Sequence, residues 1–380
     1  MKISFQSSDF KKALDAVMTA CPSRPALPEY AFVHMRTALD RDGESCVILS
    51  CQDGHMEIKR WLPCTVQEEG AAFVQAALLR DYTAVMPGEV TLQCGSQNAR
   101  CILTSGRKKS TIPCTNPEDY AFNDSCLQQK QLASISPDSL GRFVSTCAHC
   151  AGVDMSRLAL TGMLLEFEDG LAKATCTDGF VFAHVETPAQ VYEKSSVLIP
   201  VDTLQKASKL LASSETDIVI SGGSTLCRMD GETAQITFPL LHAQYIDYRR
   251  LMHFDAPTTV SVSCKELQSC VKQCAIAATA NQKGTVTVSV EDSVLSVSAR
   301  ADVSDAASSM DCGQYGVPIQ AAFNARYLID ALDRAGREAD SVTLLFKGKV
   351  APCAVIPQVS EAFKPFAPYF LVLPVRTLSA

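Results

Sequence analysis

Apolar residues recur along three stretches of the chain at the spacing of one helical face. Phe10, Ala13, Leu14, Val17, Met18 and Cys21 stand at i, i+3, i+4, i+7, i+8 and i+11. Leu140, Phe143, Val144, Cys147, Ala148 and Ala151 repeat that stripe, as do Leu267, Cys270, Val271, Cys274, Ala275 and Ala278. Each predicts an amphipathic helix with one buried side. The stripes begin 130 and 127 residues apart. A second helix follows in each unit, from Val74, from Pro200 and from Phe323. Pro200 is expected at the first helical position, where a missing N–H costs nothing.

Between the helices the pattern changes from a period near 3.6 to a period of two, the signature of half-buried strands. Asp42-Gly43 and Asp53-Gly54 punctuate the first unit, and Asp169-Gly170 and Asp178-Gly179 the second, 127 and 125 residues further on. Asp-Gly between alternating runs predicts a hairpin, because glycine tolerates positive φ. The third unit carries Asp292-Ser293 instead. Unit endings agree as well, with Asp119-Tyr120 and Asp247-Tyr248 lying 128 residues apart. The chain therefore reads as a threefold repeat of α+β class, each domain an antiparallel sheet with two helices. Domains are expected at 1–127, 128–254 and 255–380, with joints near Cys126–Gln131 and Met252–Thr258.

Composition narrows the class. Of the 380 residues 47% are hydrophobic and 20% charged, and no apolar run reaches the length of a membrane span. The N-terminus lacks the continuous apolar core of a secretory signal, which leads to a cytoplasmic expectation and no membrane partner. Seventeen cysteines are many for a cytosolic chain, but the number is odd and the chain is too large to need disulfide staples. Most sit in helix or strand patterns, as small buried hydrophobes in a reducing compartment. The net charge of −7 argues against a surface that is basic throughout, yet leaves room for a local basic face. The six helices carry eleven basic and eight acidic residues, so their excess of +3 runs against the sign of the chain.

Specific words then identify a resemblance. "LTGMLLEFEDGLAKATCTDG", "YIDYRRLM", "FNARYLIDAL", "YFLVLPVR" and "SRPALP" occur in the order in which similar words occur in the bacterial DNA polymerase III beta-subunit (sliding-clamp) family. The likeness spans all three units. It implies three clamp domains in a head-to-tail homodimeric ring, with antiparallel sheets outside and two helices per domain lining a central channel. Partners so implied are double-stranded DNA gripped without regard to sequence, the replicative polymerase catalytic subunit, a clamp loader, and other replication and repair proteins that carry a clamp-binding peptide. The implied role is a non-catalytic processivity subunit, with no cofactor and no metal.

The resemblance also assigns residues. A peptide groove would be lined by Arg157 and Leu160, then Thr177, Gly179, Phe180 and Phe182, then Ile246, Arg250 and Leu251. Val350, Pro352, Leu371, Leu373, Pro374, Val375 and Arg376 complete it. Cations expected to face DNA are Lys12, Arg24, Arg80, Arg142, Lys206, Lys209, Lys272, Arg334 and Arg337. The ring interface would use Ser110 and Ile112 from the first domain against Ile276 and Ala277 from the third. Phe180-Val181-Phe182 replaces the family's His-Arg-Leu, Ile246 replaces a proline, and Thr-Leu-Ser-Ala follows Arg376. Smaller interface residues predict a dimer that dissociates more readily than its relatives.

Two other readings carry less. "CAHC", Cys147 to Cys150, has a CxxC spacing that could hold zinc or run redox chemistry, but no second ligand pair is suitably placed. Cys176 beside Asp178 could serve a thiol-dependent hydrolase, and a repeat scaffold that never encircles DNA is the structural alternative.

Overall fold

In the computed structural model, all residues are described except Ser23, 96–99, 123–129, 253–254, 281–283, 302–303 and 377–380. Part of each expected joint, and the whole Thr-Leu-Ser-Ala ending, therefore lie outside the described residues. The helices are α1 (Ser7–Val17), α2 (Ala76–Ala84), α3 (Pro137–Cys147), α4 (Val201–Leu211), the short α5 (Arg249–Met252), α6 (Cys264–Ala280) and α7 (Ala325–Ala335). Six of them stand at the two predicted places in each repeat. Pro200 differs: it ends the strand Ser195–Pro200, and helical geometry starts one residue later.

Contacts divide the chain into two compact units, Met1–Asp138 with Asp202–Leu240, and Ser139–Val201 with Leu241–Ala380. In the first unit one antiparallel run of strands extends from Gln131–Ile135 to Thr65–Glu68. Ala234 pairs with Arg60, so hydrogen bonding is continuous between strands of the first and second repeats. In the second unit a nine-stranded sheet likewise joins two repeats, because Val181–Pro188 pairs with Tyr369–Val372. A separate four-stranded sheet runs Ser304–Asp311, Val294–Ala301, Thr285–Glu291, Ile319–Asn324.

The helical stripes are the core. Phe10, Leu14 and Val17 of α1 are wholly buried, as are Leu140, Phe143 and Cys147 of α3 and Leu267, Val271 and Cys274 of α6. Each such large side chain contributes about 1.5–3 kcal/mol relative to exposure, enough for the stripe to outweigh the weak propensity of its β-branched members.

The aspartate turns divide into two kinds. Asp169-Gly170 and Asp292-Ser293 are two-residue hairpins with φ of 53° and 76°, and 50° and 62°, the left-handed pair that a tight turn between twisted strands requires. Asp53 and Asp178 instead fold longer turns through their carboxylates. Asp53 Oδ1 accepts from the amides of His55 and Met56 at 2.9 and 2.7 Å, and Asp178 Oδ1 from Phe180 and Val181 at 2.7 and 2.8 Å. Asp42-Gly43 departs from the two-residue expectation: Leu39 pairs with Ser45, and the five-residue loop is held by Asp40.

The thiols need one correction. Ten of the fourteen free cysteines among the described residues are buried, as expected of small core residues. Cys94 and Cys101, however, stand opposite each other on adjacent strands and are joined in a disulfide.

Candidate functional site

The groove residues all fall in the second unit, and they separate by depth. Strand pairing sets Val181 against Val372, and Val372 against Cys353. One residue further, the Leu373 amide donates to the Phe180 carbonyl at 2.9 Å. Phe180, Leu373 and Pro352 are therefore brought together where three neighbouring strands end. Phe180 is 57% exposed, Ile246 42%, Leu251 37%, Val350 75% and Val375 39%. Apolar side chains left this open on strand ends and loops form a surface that water covers poorly.

Beneath that rim, four of the expected lining residues are floor. Phe182 and Leu371 pack with Tyr248 and Ala354 in one buried cluster. Leu160 is 6% exposed. Thr177 is also buried: its hydroxyl donates to the Val181 carbonyl at 2.6 Å and accepts from the Gly179 amide at 3.0 Å, so it locks the turn from within. Thr177, Phe182 and Leu371 are turned inward by the two-residue period of their strands, whereas Leu160 is buried from the 3-10 turn Met155–Thr161.

Gly179 has φ +95°, and a Cβ there would stand 3.1 Å from the Arg157 guanidinium. Only glycine keeps the turn and lets Arg157 lie across it, donating to the Asp178 carbonyl at 3.5 Å. The exposed Arg157 and Arg250 supply charge at the rim, Arg250 paired with Asp247 at 3.3 Å.

The segment carrying Ile246 and Leu251 is clamped by residues that the sequence reading did not single out. Tyr248 donates to Glu166, and Arg249 reaches the same carboxylate at 2.6 Å while lying over the Tyr248 ring. Burial, then the Glu166 carboxylate, pushes the Tyr248 phenol up, so it stays a donor. Glu168, held by Lys194 and Lys173, is drawn down to about 2. Both carboxylates project from "LLEFEDG", a word noticed for its turn. Their alternation with Leu and Phe was the available signal.

The expected DNA-facing cations are not equally free. Lys12, Arg24, Lys206, Lys209, Lys272 and Arg337 are exposed, with Arg337 paired to Asp333 at 2.6 Å. Arg80 lies 3.3 Å from Asp81. Arg142 is engaged within the chain: its guanidinium donates to Glu338 and, at 2.9 Å, to the Phe366 carbonyl. Arg334 is engaged as well, its side chain only 19% exposed and folded back onto Asp330. A guanidinium spent on internal acceptors has little left for a phosphate.

At the expected interface Ile276 is 75% exposed, whereas Ile112 and Ala277 are each 1% exposed and belong to the core. Ile112 points inward by strand alternation, with Ser110 half-buried on the same side. Backbone edges are the more prominent feature. Lys108–Pro113 pairs with Arg100–Ser105, while among the described residues the other side of this strand pairs only at Cys114 and Thr115. Ser304–Asp311 ends its sheet.

The thiol readings meet burial. Cys147, Cys150 and Cys176 are at most 1% exposed, and desolvation raises all three thiols, the opposite of nucleophile activation. Among the described residues no group of three or more His, Cys, Asp or Glu could hold a metal.

Family models described as the central and C-terminal domains of the DNA polymerase III beta subunit match residues 134–247 and 249–369. Together they cover more than half of the chain. The beta sliding clamp of Streptomyces coelicolor is 25% identical over 390 residues, spanning 99% of either chain. That of Vibrio cholerae is 22% identical over 338 residues, 88% of this chain and 90% of the relative. In fold, the beta subunit from DNA polymerase of Streptococcus pyogenes superposes with a TM-score of 0.89 at 20% identity, over 99% of this chain and 100% of that one.

Proposed function

This chain belongs to the DNA polymerase III beta-subunit family, and from that premise we propose that it is a sliding clamp. Three domains, 1–127, 128–254 and 255–380, repeat in a second copy placed head to tail, and the two copies close around duplex DNA. Its role is topological and non-catalytic. It holds a replicative polymerase, and in turn other replication and repair proteins, to the template, and a loader opens it.

Two open edges, Lys108–Pro113 and Ser304–Asp311, support strand-to-strand closure, since an unpaired edge is a ready template for another strand. Ile276 supplies exposed apolar area for the same contact. Exposed lysines on α1, α4 and α6 suit a loose, sequence-blind hold on phosphates, which a sliding ring needs.

The observation that carries the partner reading is the exposed apolar rim of Phe180, Ile246, Leu251, Val350 and Val375 above a filled floor. Such a surface suits the anchors of a short peptide that orders on binding. The central test is retention on nicked circular DNA. A closed ring stays on the circle through a salt wash and is released when the circle is cut. Release from intact circles at the same rate as from linear DNA would overturn the ring.

A further inference from the structure

Cys94 and Cys101 face each other on the neighbouring antiparallel strands Glu89–Gly95 and Arg100–Ser105. The backbone dictates how close they come. The Cys94 amide donates to the Met1 carbonyl at 2.9 Å, and the Met1 ammonium donates to the Cys94 carbonyl at 3.1 Å. A strand residue turns its N–H and C=O to the same side, so neither group of Cys94 points at Cys101. The two cysteines are therefore a non-hydrogen-bonded pair, the kind whose Cα atoms approach to about 4.5 Å. Here they stand 4.2 Å apart, with the sulfurs joined. Because bonds on the far side hold Cys94 in place, opening the bridge requires no change of register.

Residues paired across a sheet share a face, as do residues two apart along one strand. Cys94, Cys101, Ile112 opposite Cys101, and Cys114 thus lie on one face. Cys94 and Cys114 line a cavity of about 680 Å³, together with Met1, Glu68 and Gly70. Cys94 is 7% exposed, and Cys101 is wholly buried. We propose that Cys94–Cys101 is an exchangeable disulfide, opened in the folded chain by a small dithiol that enters this cavity and attacks the Cys94 sulfur. Cys101 is the leaving group. Burial pushes the Cys114 thiol up, which makes it a poor internal attacker and leaves the thiolate to come from outside.

The chemistry balances with the dithiol as the reductant. One of its thiolates bonds to the Cys94 sulfur and the Cys94–Cys101 bond breaks. Cys101 takes up the proton that the attacking thiol lost. The second thiolate of the reductant then attacks the reductant sulfur held on Cys94, and the bond to Cys94 breaks. Cys94 leaves with the second proton, and the reductant departs as a cyclic disulfide. Two electrons pass from the dithiol to the pair of cysteines.

The second repeat provides a natural comparison. Gly222 faces Cys227 at the corresponding rung, 128 and 126 residues further on. One sulfur is missing there, and Cys227 is a wholly buried free thiol. In the first repeat the bridge backs the strand Lys108–Thr115, because Cys101 pairs with Ile112. A cross-link between neighbouring strands restricts their separation, so opening it should loosen the edge on which the ring closes. That consequence rests on the ring reading above; the exchange chemistry does not.

The full chain, purified without reductant, is treated with dithiothreitol in native buffer. Samples are quenched with acid, unfolded and alkylated, and the cysteines are mapped by mass spectrometry. The expected result is that Cys94 and Cys101 become free together, at a rate that stays proportional to dithiothreitol concentration. The monothiol 2-mercaptoethanol should leave a mixed disulfide on Cys94 and none on Cys101. Under native alkylation, Cys101→Ser should leave Cys94 open to labelling, and Cys94→Ser should leave Cys101 as unlabelled as Cys227. Because both positions are in the core, the rate law and the adduct map of the unsubstituted chain decide the matter if either variant fails to fold. A reduction rate that levels off at the rate of global unfolding overturns the proposal. So does an adduct on Cys101 in place of Cys94, or a purified chain in which both thiols are already free. Failure of DNA retention would leave these measurements intact and count only against the ring.

Discussion

Arg142 holds Glu338 at two points, with Nη2 2.8 Å from Oε2 and Nε 3.3 Å from Oε1. The pair joins α3 to the residues just past α7, and the same guanidinium also donates to the Phe366 carbonyl. Its side chains are 28% and 26% exposed, between the surface pairs that contribute little and the buried pairs that are costly to break. Arg142→Ala is expected to lower stability by roughly 1–2 kcal/mol, read as a fall in the urea midpoint. Glu338→Ala should cost a similar amount, and the double variant less than the sum of the two. Additive losses would show that the contact is not energetic.

Phe180 and Phe182 are two residues apart on one strand end, yet their substitutions should fail differently. Phe180→Ala removes an exposed ring. It should leave stability within about 0.5 kcal/mol and weaken a clamp-binding peptide about tenfold or more, as for a central interface aromatic. Phe182→Ala opens a hole among Tyr248, Ala354 and Leu371. It should cost about 3–5 kcal/mol of stability, with peptide affinity falling as a secondary effect. Calorimetric titration beside thermal melts separates the two. Equal effects on melting would contradict the division into rim and floor.

That division also marks how far the sequence could be read. The helical stripes were legible because burial demands a period near 3.6, and Leu14, Phe143 and Val271 are all wholly buried. Aspartate turns were legible as turns, but not their type: whether Asp42 or Asp40 organises the loop depends on strand register, and register is set by partners distant in sequence. Depth in the groove was hidden for the same reason. A quoted word names Thr177, Gly179 and Phe180 alike, while only the fold turns Thr177 inward. The ion pair of Arg142 was not legible either, because its helix position is wet in isolation and the acceptor that engages it lies 196 residues away.

Acid should weaken the fold before its carboxylates titrate. Burial draws His34 down to about 4, and burial together with Arg334 draws His149 down to about 3, against 6.5 when free. Between those values the unfolded chain takes up protons that the folded chain refuses, so stability falls as pH drops below about 6.5 and is unaffected above it. Glu168 acts lower still, losing its contribution between the ordinary 4.5 and about 2. Urea midpoints at about pH 7.5 and about pH 5 should differ markedly in the unsubstituted chain. In His149→Gln the difference should shrink. An unchanged gap would place the acid sensitivity elsewhere.

Lys206 and Lys209 are exposed on α4, and neither side chain forms an ion pair among the described residues. If they meet phosphates, their contribution is counterion release, which has a signature that stability effects lack. Lys206→Ala and Lys209→Ala should each reduce the slope of log affinity against log salt by up to about 0.9 per lost contact. The loss should be the same for every DNA sequence tested, because phosphate contacts carry no base information. Arg142→Ala should leave that slope unchanged while lowering the urea midpoint, since its guanidinium is already engaged by Glu338 and Phe366. Dissociation from linear duplex, measured across a salt series, checks all three variants. A slope that moves with Arg142 but not with the lysines would reverse the assignment of which helical cations touch DNA.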